Sequence, residues 1–600
     1  MSFTVEPHLS KAEIFQKAEQ ECAELAATLR SLKCVYVDPE FPPNAQSLGK
    51  ICDVDGNIEF ENINDPWHTP EQFMRRKARP TWQLWNDPMP FHVVQGRVGN
   101  CWLIAAIQAI AQRPKLVEQI IPKLQQYTKD QGIVQVRLFV ENEWKVIKID
   151  YHLPQTDGAE RCAPLRQNQF WVPFIEKAYA KVVGSYGALI GGRTNLAFKC
   201  LTGFLTKYHW LDEAMDLEKL WEELIIWHSS GFLLAAATPN LDNDPEKKKI
   251  FDELQLQHNH SYSILDFKDH NGHHLIKMAN PTLALSALWK GKWSLMPVYD
   301  PDFESMPLAE FVQVFWIEID DFARHFQYIN VCEYREGWHE RRYKQMVQRK
   351  DSEKCQIVRL NLIARQEFVI EVETEAEDGK YFFLNMFINI HKATEDEECG
   401  ELLHSFDDYD QRVGSAPFHL EPGAYFVVLF CFEEMNKLNL QWIFRSSTPI
   451  NPTSIEFVFF PYSTLLRSIQ QMILSNGQAE KNDQIIIYKW FGRSTFLMMV
   501  DNLKKWSYAR IKVTETTTKD DPDNVTTRGG SLLEKNWWPV PPGKRTIIAR
   551  LCHSRRSVCE DEINYEYCIS SWLRAYLNWL DVFFFLNDAY ESTSLIPVNS

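Results

Sequence analysis

From about residue 350 onward the chain stops reading as helix. Short runs rich in β-branched and aromatic residues take over: QIVRLNL, EFVIEVE, YFFLNMFINI, AYFVVLFCF and SIEFVFF, separated by acidic or Gly/Pro-containing turns. That spacing predicts an antiparallel β-sandwich. IIIYKWF, TFLMMVDN, YARIKVTE and RTIIARLC predict a second β-rich domain after a polar connector at 466–485. Upstream the apolar period is mostly helical, so one sandwich or one bundle cannot describe the whole chain. Its 600 residues are also too many for one core and predict about three to five domains.

The helical half can be followed element by element. Ile14, Phe15, Ala18, Cys22, Leu25 and Leu29 give residues 11–33 one apolar face, and the Pro-rich DPEFPPNAQSL follows as a connector. Residues 101–113, 170–184 and 217–228 read as further helices. GFLLAAAT is an apolar run, and SYSILDF and HLIKMAN read as short strands joined through the turn-rich DHNGH. WLRAYLNWLDVFFFL at 572–586 predicts a buried terminal helix, too short and interrupted to span a bilayer. No stretch reaches the roughly 18 apolar residues that a transmembrane helix needs.

Composition narrows the function classes. A 45% hydrophobic and 13% aromatic content excludes wholesale disorder. The 64 Lys+Arg against 80 Asp+Glu give a net charge of −16, which disfavours nucleic acid or an anionic membrane as the main partner. The opening MSFTVEPHLSKAEIFQKAEQECAEL lacks an apolar signal core. The 13 cysteines are odd in number and scattered, as reduced thiols are. The expected location is the cytoplasm.

One cysteine stands apart. In FHVVQGRVGNCWLIAAIQAIAQRP (91–114), Cys101 falls at the first turn of a predicted helix that ends at Pro114. A thiol attacks only as thiolate, and a helix N-terminus or a neighbouring imidazolium lowers its pKa. Gly96 and Gly99 permit a tight loop that brings backbone N–H groups to a substrate carbonyl. Gln95 can donate its amide to the oxyanion of a tetrahedral intermediate. An isolated cysteine is usually an inert core thiol; the Gln-Gly-x-x-Gly-x-Cys-Trp context shifts the reading to a nucleophile.

Such a cysteine needs a base, and the base needs an orienting group. HNHSYSILDF offers His258 and His260, which point to the same face of a strand, so periodicity does not choose between them. Asn280 ends the following strand before Pro281, within reach of either. An Asn amide oxygen fixes an imidazole without adding charge. The order Cys, His, Asn matches cysteine proteases of papain type.

Longer motifs carry a specific resemblance. QGRVGNCWLIAAI resembles the active-site segment of the calpains, and FWVPFIEKAYAKVVGSYGALIGG their next helical motif. HSYSILDF is similar to their Gly-His-Ala-Tyr-Ser motif with Asn259 for the Gly, and this selects His260. IKMANP and WKGKW resemble their Arg-Asn-Pro-Trp-Gly and Trp-x-Gly-x-Trp segments, and HLEPGAYFVVLF a strand of their β-sandwich. YKWFGRSTFLMMVDN, VTTRGGSLL and VPPGKRTIIARL resemble the C-terminal domain of the small-optic-lobes group of calpains, whose N-terminal zinc fingers are not seen here. The resemblance covers about residues 40–555.

It implies an α+β chain: a papain-like two-subdomain cysteine protease core followed by two β-sandwich domains. The expected segments are an N-terminal helix and connector (1–60), a Cys-bearing subdomain (61–205) and a His/Asn-bearing subdomain (206–335). A calpain-type β-sandwich (345–465) and a C-terminal β-rich domain (480–590) complete them. The implied activity is intracellular endopeptidase cleavage of protein substrates by Cys101, His260 and Asn280, with Gln95 in the oxyanion hole. The chemistry requires no cofactor. Weak membrane or protein contact would fall to the sandwiches.

The sequence also departs from the family. Thr282-Leu283 stands for the Trp-Gly after Asn280-Pro281, which predicts a more exposed Asn–His pair unless Trp289 or Trp293 covers it. Typical calpains bind calcium in each core subdomain through carboxylates. The matching positions here are His92, Leu196, Leu288 and Leu295, leaving Asp300 and Asp302 as weak ligand candidates. The expected core is therefore calcium-independent or weakly calcium-binding. These departures frame the alternative, a catalytically impaired calpain-like scaffold. CDVDG followed by IEFENIN lacks the first and twelfth acidic ligands of an EF-hand. Cys552, His553, Cys559 and Cys568 lack paired zinc-ligand spacing. EVETEAEDG, ATEDEE and FDDYD are expected as solvated sandwich loops.

Overall fold

The structure is a computed structural model. It describes residues 6–7, 11–49, 51–52, 58–59, 66–76, 81–156, 159–212, 215–283, 289–294, 313–348, 354–374, 384–396, 398–410, 412–431, 437–481, 484–492, 495–516, 525–527, 538–552, 563–571 and 596–597. The chain divides into two compact units, Leu9–Glu336 and Gly337–Ser600 with Met1–His8. Among the described residues no helix is long and apolar enough to cross a membrane.

In the first unit α1 (Lys11–Leu32) buries Cys22 and Ala26 against Tyr127 and Ile133. The next helix to matter, α2 (Cys101–Ala111), has every residue from Trp102 to Ala111 buried. Its sequence is apolar all round, as a central core helix must be. α3 (Trp171–Val183) packs on the same core and stops at Gly184, whose φ of 103° is open to glycine alone without strain. α4 (Thr194–Thr202) and α5 (Leu217–Ser229) follow.

A six-stranded antiparallel sheet holds the remainder. Its strands are β1 (Thr206–Trp210), β2 (Leu233–Ala237), β3 (Ser261–His270), β4 (His273–Ala279), β5 (Val314–Glu318) and β6 (Tyr328–Cys332), in the order β5-β4-β3-β2-β6-β1. Asn271 and Gly272, both with positive φ (55° and 81°), form the tight turn between β3 and β4. The turn pairs His270 with His273, and a one-residue bulge between Ile264 and Asp266 shifts the register so that Ser263 lies opposite Ala279. The residues just before β3 and just after β4 therefore meet at one end of the sheet.

The helix α3 carries two adjacent ionisable residues with no exposed surface, Glu176 and Lys177. Lys177 Nζ donates to Asp150 Oδ1 (2.8 Å) and to the carbonyls of Asp150 and His152 (3.0 and 2.7 Å). Burial pushes the Asp150 carboxyl up, but Lys177, His152 and the Asp38 N–H outweigh it and hold it at about 2. One turn on, Lys181 Nζ binds both carboxylate oxygens of Asp38 (3.1 and 2.8 Å). The two lysines thus fasten the 36–40 segment and the strand ending at Asp150 to one helix.

The described residues of the second unit are mostly antiparallel sheet. One sheet runs Glu6–Pro7, His339–Gln348, Lys437–Ser446, Gln366–Thr374 and Arg412–Gly414, with Phe418–Leu420 on the fourth strand. Another runs Cys399–Asp410, Leu384–Ala393, Gly423–Cys431, Lys354–Leu362 and Ile455–Pro461. Both feed one core: Ile370, Trp442 and Phe444 from the first meet Leu360, Ile388 and Val427 from the second. A smaller core joins Ile485, Phe496 and Val500 to Ala509 and Ile511 further along the chain.

Two expectations fail here for physical reasons. The stretch 466–485 is mostly not connector: Tyr462–Asn476 is a helix that buries Ile469, Met472 and Ile473, apolar residues at helical spacing hidden among polar neighbours. The acidic stretches are not all loops. Residues 406–410 lie in a strand, and Glu371 is buried in another, where it pairs with Arg412 and Arg445. A carboxylate with two guanidinium partners can leave water, so its charge did not mark exposure. The proposed helix at 572–586 lies outside the described residues, as do His553 and Cys559.

Replacing Lys177 with Ala strands the buried Asp150 carboxylate. The expected cost is about 3–5 kcal/mol, read as a lowered midpoint of the first unit in urea unfolding. The exposed pair Lys115–Glu336 (2.7 Å) serves as control, and Lys115→Ala should leave that midpoint in place.

Candidate active site

Cys101 is the first residue of α2, and the loop before it is held by backbone contacts. Gly96 lies so close to the Cys162 carbonyl that an added Cβ would meet its oxygen at 2.1 Å. The Arg97 N–H donates to the Arg161 carbonyl (2.9 Å), and the Gly191 N–H to that of Gly99 (3.0 Å). Asn100 caps the helix through its backbone carbonyl, which accepts from Leu103 and Ile104 (2.9 and 3.1 Å). Its side-chain amide donates to Glu176 Oε1 (2.7 Å), while Glu176 Oε2 accepts the Ala163 N–H (2.7 Å). Complete burial raises the Glu176 carboxyl to about 7, against the lowering effect of those two donors.

The Cys101 sulfur lies against the backbone N–H groups of Ser261, Trp102 and Cys101 itself. Burial nevertheless pushes the thiol above its ordinary value, and these donors offset it only in part. The expectation of a thiol lowered by the helix terminus is thus corrected for the ligand-free state: desolvation of the anion outweighs the helix field.

His260 immediately precedes β3, and Asn280 immediately follows β4. Their side chains meet, His260 Nε2 donating to Asn280 Oδ1 at 2.9 Å. That bond leaves Nδ1 as the basic ring nitrogen. Burial lowers the imidazole to about 4, with Asn280 pulling the other way. Asn259 takes φ of 49°, the left-handed conformation that glycine adopts freely and asparagine tolerates best among the rest. This accounts for Asn at the place where the resembling motif has Gly. Gln95 donates its backbone N–H to the Pro281 carbonyl and its side-chain amide to the Val98 carbonyl (both 2.8 Å).

The Asn–His pair is not more exposed without a Trp at position 282. Asn280 is 1% and His260 9% exposed. The Thr282 N–H donates to Asn280 Oδ1 (2.9 Å), Asn280 Nδ2 donates to Gln257 Oε1 (3.1 Å), and Tyr262 meets the imidazole edge-on (5.0 Å). Trp289 stacks on Phe315, which meets Tyr262 edge-on, and Trp293 donates to Glu318 (3.1 Å). Thr282 also donates its hydroxyl to Gln95 Oε1 (3.4 Å).

Several polar residues that the sequence reading passed over fasten α2 to the sheet. Gln108 Nε2 donates to the carbonyls of Val93 and Asn280 (3.0 and 3.3 Å), and Gln313 Nε2 donates to the same two (3.3 and 3.2 Å). Ser263 donates to the Ala105 carbonyl (2.6 Å). Their one signal was polarity inside apolar runs, as with Glu176 in FWVPFIEKAYAKVV.

The residues at the expected calcium positions do not fit a hard cation. His92 is buried, and its Nδ1 shares a hydrogen with the Asp87 carbonyl (3.0 Å). Leu196 is 51% exposed, and its side chain carries no oxygen. Leu288, Leu295, Asp300 and Asp302 lie outside the described residues. Among the described residues no group of three His, Cys, Asp or Glu could hold a metal ion.

Comparison with known proteins gives a family match. Residues 36–333 match the profile described as calpain family cysteine protease. The chain is 32% identical over 311 residues to calpain-type cysteine protease DEK1 of Arabidopsis thaliana, covering 50% of this chain and 14% of that protein. It is 28% identical over 360 residues to calpain-type cysteine protease ADL1 of Oryza sativa subsp. japonica (55% and 16%). It is 29% identical over 331 residues to the calpain-1 catalytic subunit of Mus musculus (52% and 44%). The chain thus spans a small part of the plant relatives and less than half of the mouse one.

Two outcomes follow from this geometry. Asn259→Ala must hold a left-handed φ and should lose about 1 kcal/mol of stability in chemical denaturation, whereas Asn259→Gly should hold its stability. Glu176, raised in the folded state to about 7, contributes stability that is complete below its unfolded pKa of about 4.3 and is lost as pH rises through 7. Unfolding free energy should therefore fall between these values by up to about 1.4 kcal/mol per pH unit relative to Glu176→Gln, measured by denaturant titration across pH.

Proposed function

Because this chain belongs, through residues 36–333, to the calpain family of cysteine proteases, we propose that it is an endopeptidase making limited cuts in proteins through Cys101, His260 and Asn280. The observation that carries the reading is the buried 2.9 Å bond from His260 Nε2 to Asn280 Oδ1, beside a cysteine at a helix N-terminus. In this reading His260 Nδ1 takes the thiol proton as the sulfur attacks the scissile carbonyl carbon. The oxyanion is received by the Cys101 N–H and the Gln95 amide. The imidazolium then gives its proton to the departing amine, and an acyl-enzyme remains. Water, deprotonated by the same imidazole, hydrolyses the thioester and restores the thiol.

Burial favours the neutral forms of both Cys101 and His260. The wider reading is a papain-like core of two subdomains (61–205 and 206–335) and two β-sandwich domains (345–465 and 480–590) that supply weak membrane or protein contacts. It acts in the cytoplasm, where thiols stay reduced. His92 and Leu196 argue for a core independent of calcium or bound to it weakly.

Thr282-Leu283 and the absence of acids at His92 and Leu196 favour a second reading, a catalytically impaired scaffold. An epoxysuccinyl inhibitor, which alkylates active thiols, separates the two. The endopeptidase reading expects a single adduct on Cys101, absent in Cys101→Ala and formed equally in calcium or chelator. Asn280→Ala should lower kcat by about a hundredfold with a smaller change in KM, through loss of imidazole orientation. Absence of any Cys101-dependent adduct under both conditions would favour the scaffold.

A further inference from the structure

The rim of this site carries a cation that the proposed chemistry does not use. Arg193 follows Gly191 and Gly192, both exposed, and Gly191 is tied to the Gly99 carbonyl two residues before Cys101 (3.0 Å). On its other side Thr194 donates to Ser261 Oγ (3.1 Å), and the Ser261 N–H faces the Cys101 sulfur. Arg193 therefore leaves the backbone between two points that are each fixed to the nucleophile's surroundings. Its conformation is extended (φ −129°, ψ 127°), and its side chain is exposed.

The guanidinium lies near a neutral group, the Tyr208 phenol, whose hydroxyl donates to Asn195 Oδ1 (2.6 Å). Tyr328 packs edge-on against Tyr208 (5.2 Å), and its hydroxyl feels the charges of both Arg193 and Cys101. The neighbouring lysine on β1 has an acid: Lys207 pairs with Glu333 (2.6 Å). Among the described residues no carboxylate pairs with Arg193. A phenol does not neutralise a guanidinium, which leaves its donors and charge for a carboxylate that arrives from outside. In a chain of net charge −16, an unneutralised cation beside the nucleophile is a departure from the surface as a whole.

We propose that Arg193, beside Tyr208, selects substrates that carry an acidic side chain close to the bond cleaved. This rests on the endopeptidase reading and adds the substrate class to it. The test is a neutral fluorogenic peptide in which a single Glu is moved through the positions flanking the scissile bond, each compared with its Gln counterpart. At one position Glu should raise kcat/KM of the wild type about three- to tenfold over Gln, as a partly exposed Arg–carboxylate contact allows. The ratio should shrink as salt rises. Arg193→Gln should bring the Glu/Gln ratio to one, Arg193→Lys should keep part of it, and Arg193→Glu should invert it in favour of Lys. Because each ratio is taken within one variant, a partly unfolded sample does not distort it. A wild type that cleaves the Gln peptides through Cys101 with no Glu preference, or with one that survives in Arg193→Gln, overturns this inference alone. A wild type that cleaves none of the peptides overturns the endopeptidase reading and this inference with it.

Discussion

Two adjacent side chains in one helix turn, Glu176 and Lys177, are ionisable and wholly buried, and the first unit is organised around them. Isolated charges of this kind would cost several kcal/mol each, so each must be answered locally. Lys177 is answered by Asp150 and two carbonyls. Glu176 is answered by Asn100 and the Ala163 N–H, and in part by a raised pKa. Asn100 directly precedes Cys101. One helix turn therefore ties the strand ending at Asp150 on one side to the start of the helix that carries Cys101 on the other.

The same logic governs the seam between α2 and the sheet. Gln108 and Gln313 both donate to the Val93 and Asn280 carbonyls. The residue that orients His260 is thereby held by its main chain to the helix that carries Cys101. Buried amides that find all their partners resist displacement, because leaving any one donor unpaired costs the full desolvation penalty. In place of one indole, the Asn–His pair has Thr282, Gln257 and Tyr262 around it. A hydrogen-bonded shell and an apolar cover both exclude water, but the shell also sets the direction of the Asn280 amide.

Desolvation explains why the resting site is electrically quiet. Burial raises Cys101 and lowers His260, and both shifts favour uncharged forms. The donors around the sulfur and the Asn280 oxygen work the other way and are outweighed. The second unit shows the complementary outcome: Glu371 meets Arg412 and Arg445, and charge is kept under burial because partners are supplied.

Much of this was legible in the sequence. The change of period near 350, the helices of the first half and the Asn-Gly turn are local properties, set by side-chain spacing and backbone preference. The motif around Cys101, and Asn259 in the place of a glycine, were equally readable, because one steric requirement confines that position to very few residues. The connector at 466–485 was misread because three apolar residues on one helix face are diluted by polar ones. The acidic strands were misread because exposure was inferred from charge alone. Which residues meet across the chain was a different matter. Linear order named Cys101, His260 and Asn280 as candidates, and motif resemblance chose His260 over His258. Only tertiary structure decided that Asn280 is buried and shared between His260 and Thr282, that Glu176 anchors Asn100, and that the thiol is raised rather than lowered. Hydrogen-bond pairing and desolvation depend on groups brought together from distant parts of the chain, and no local pattern records them.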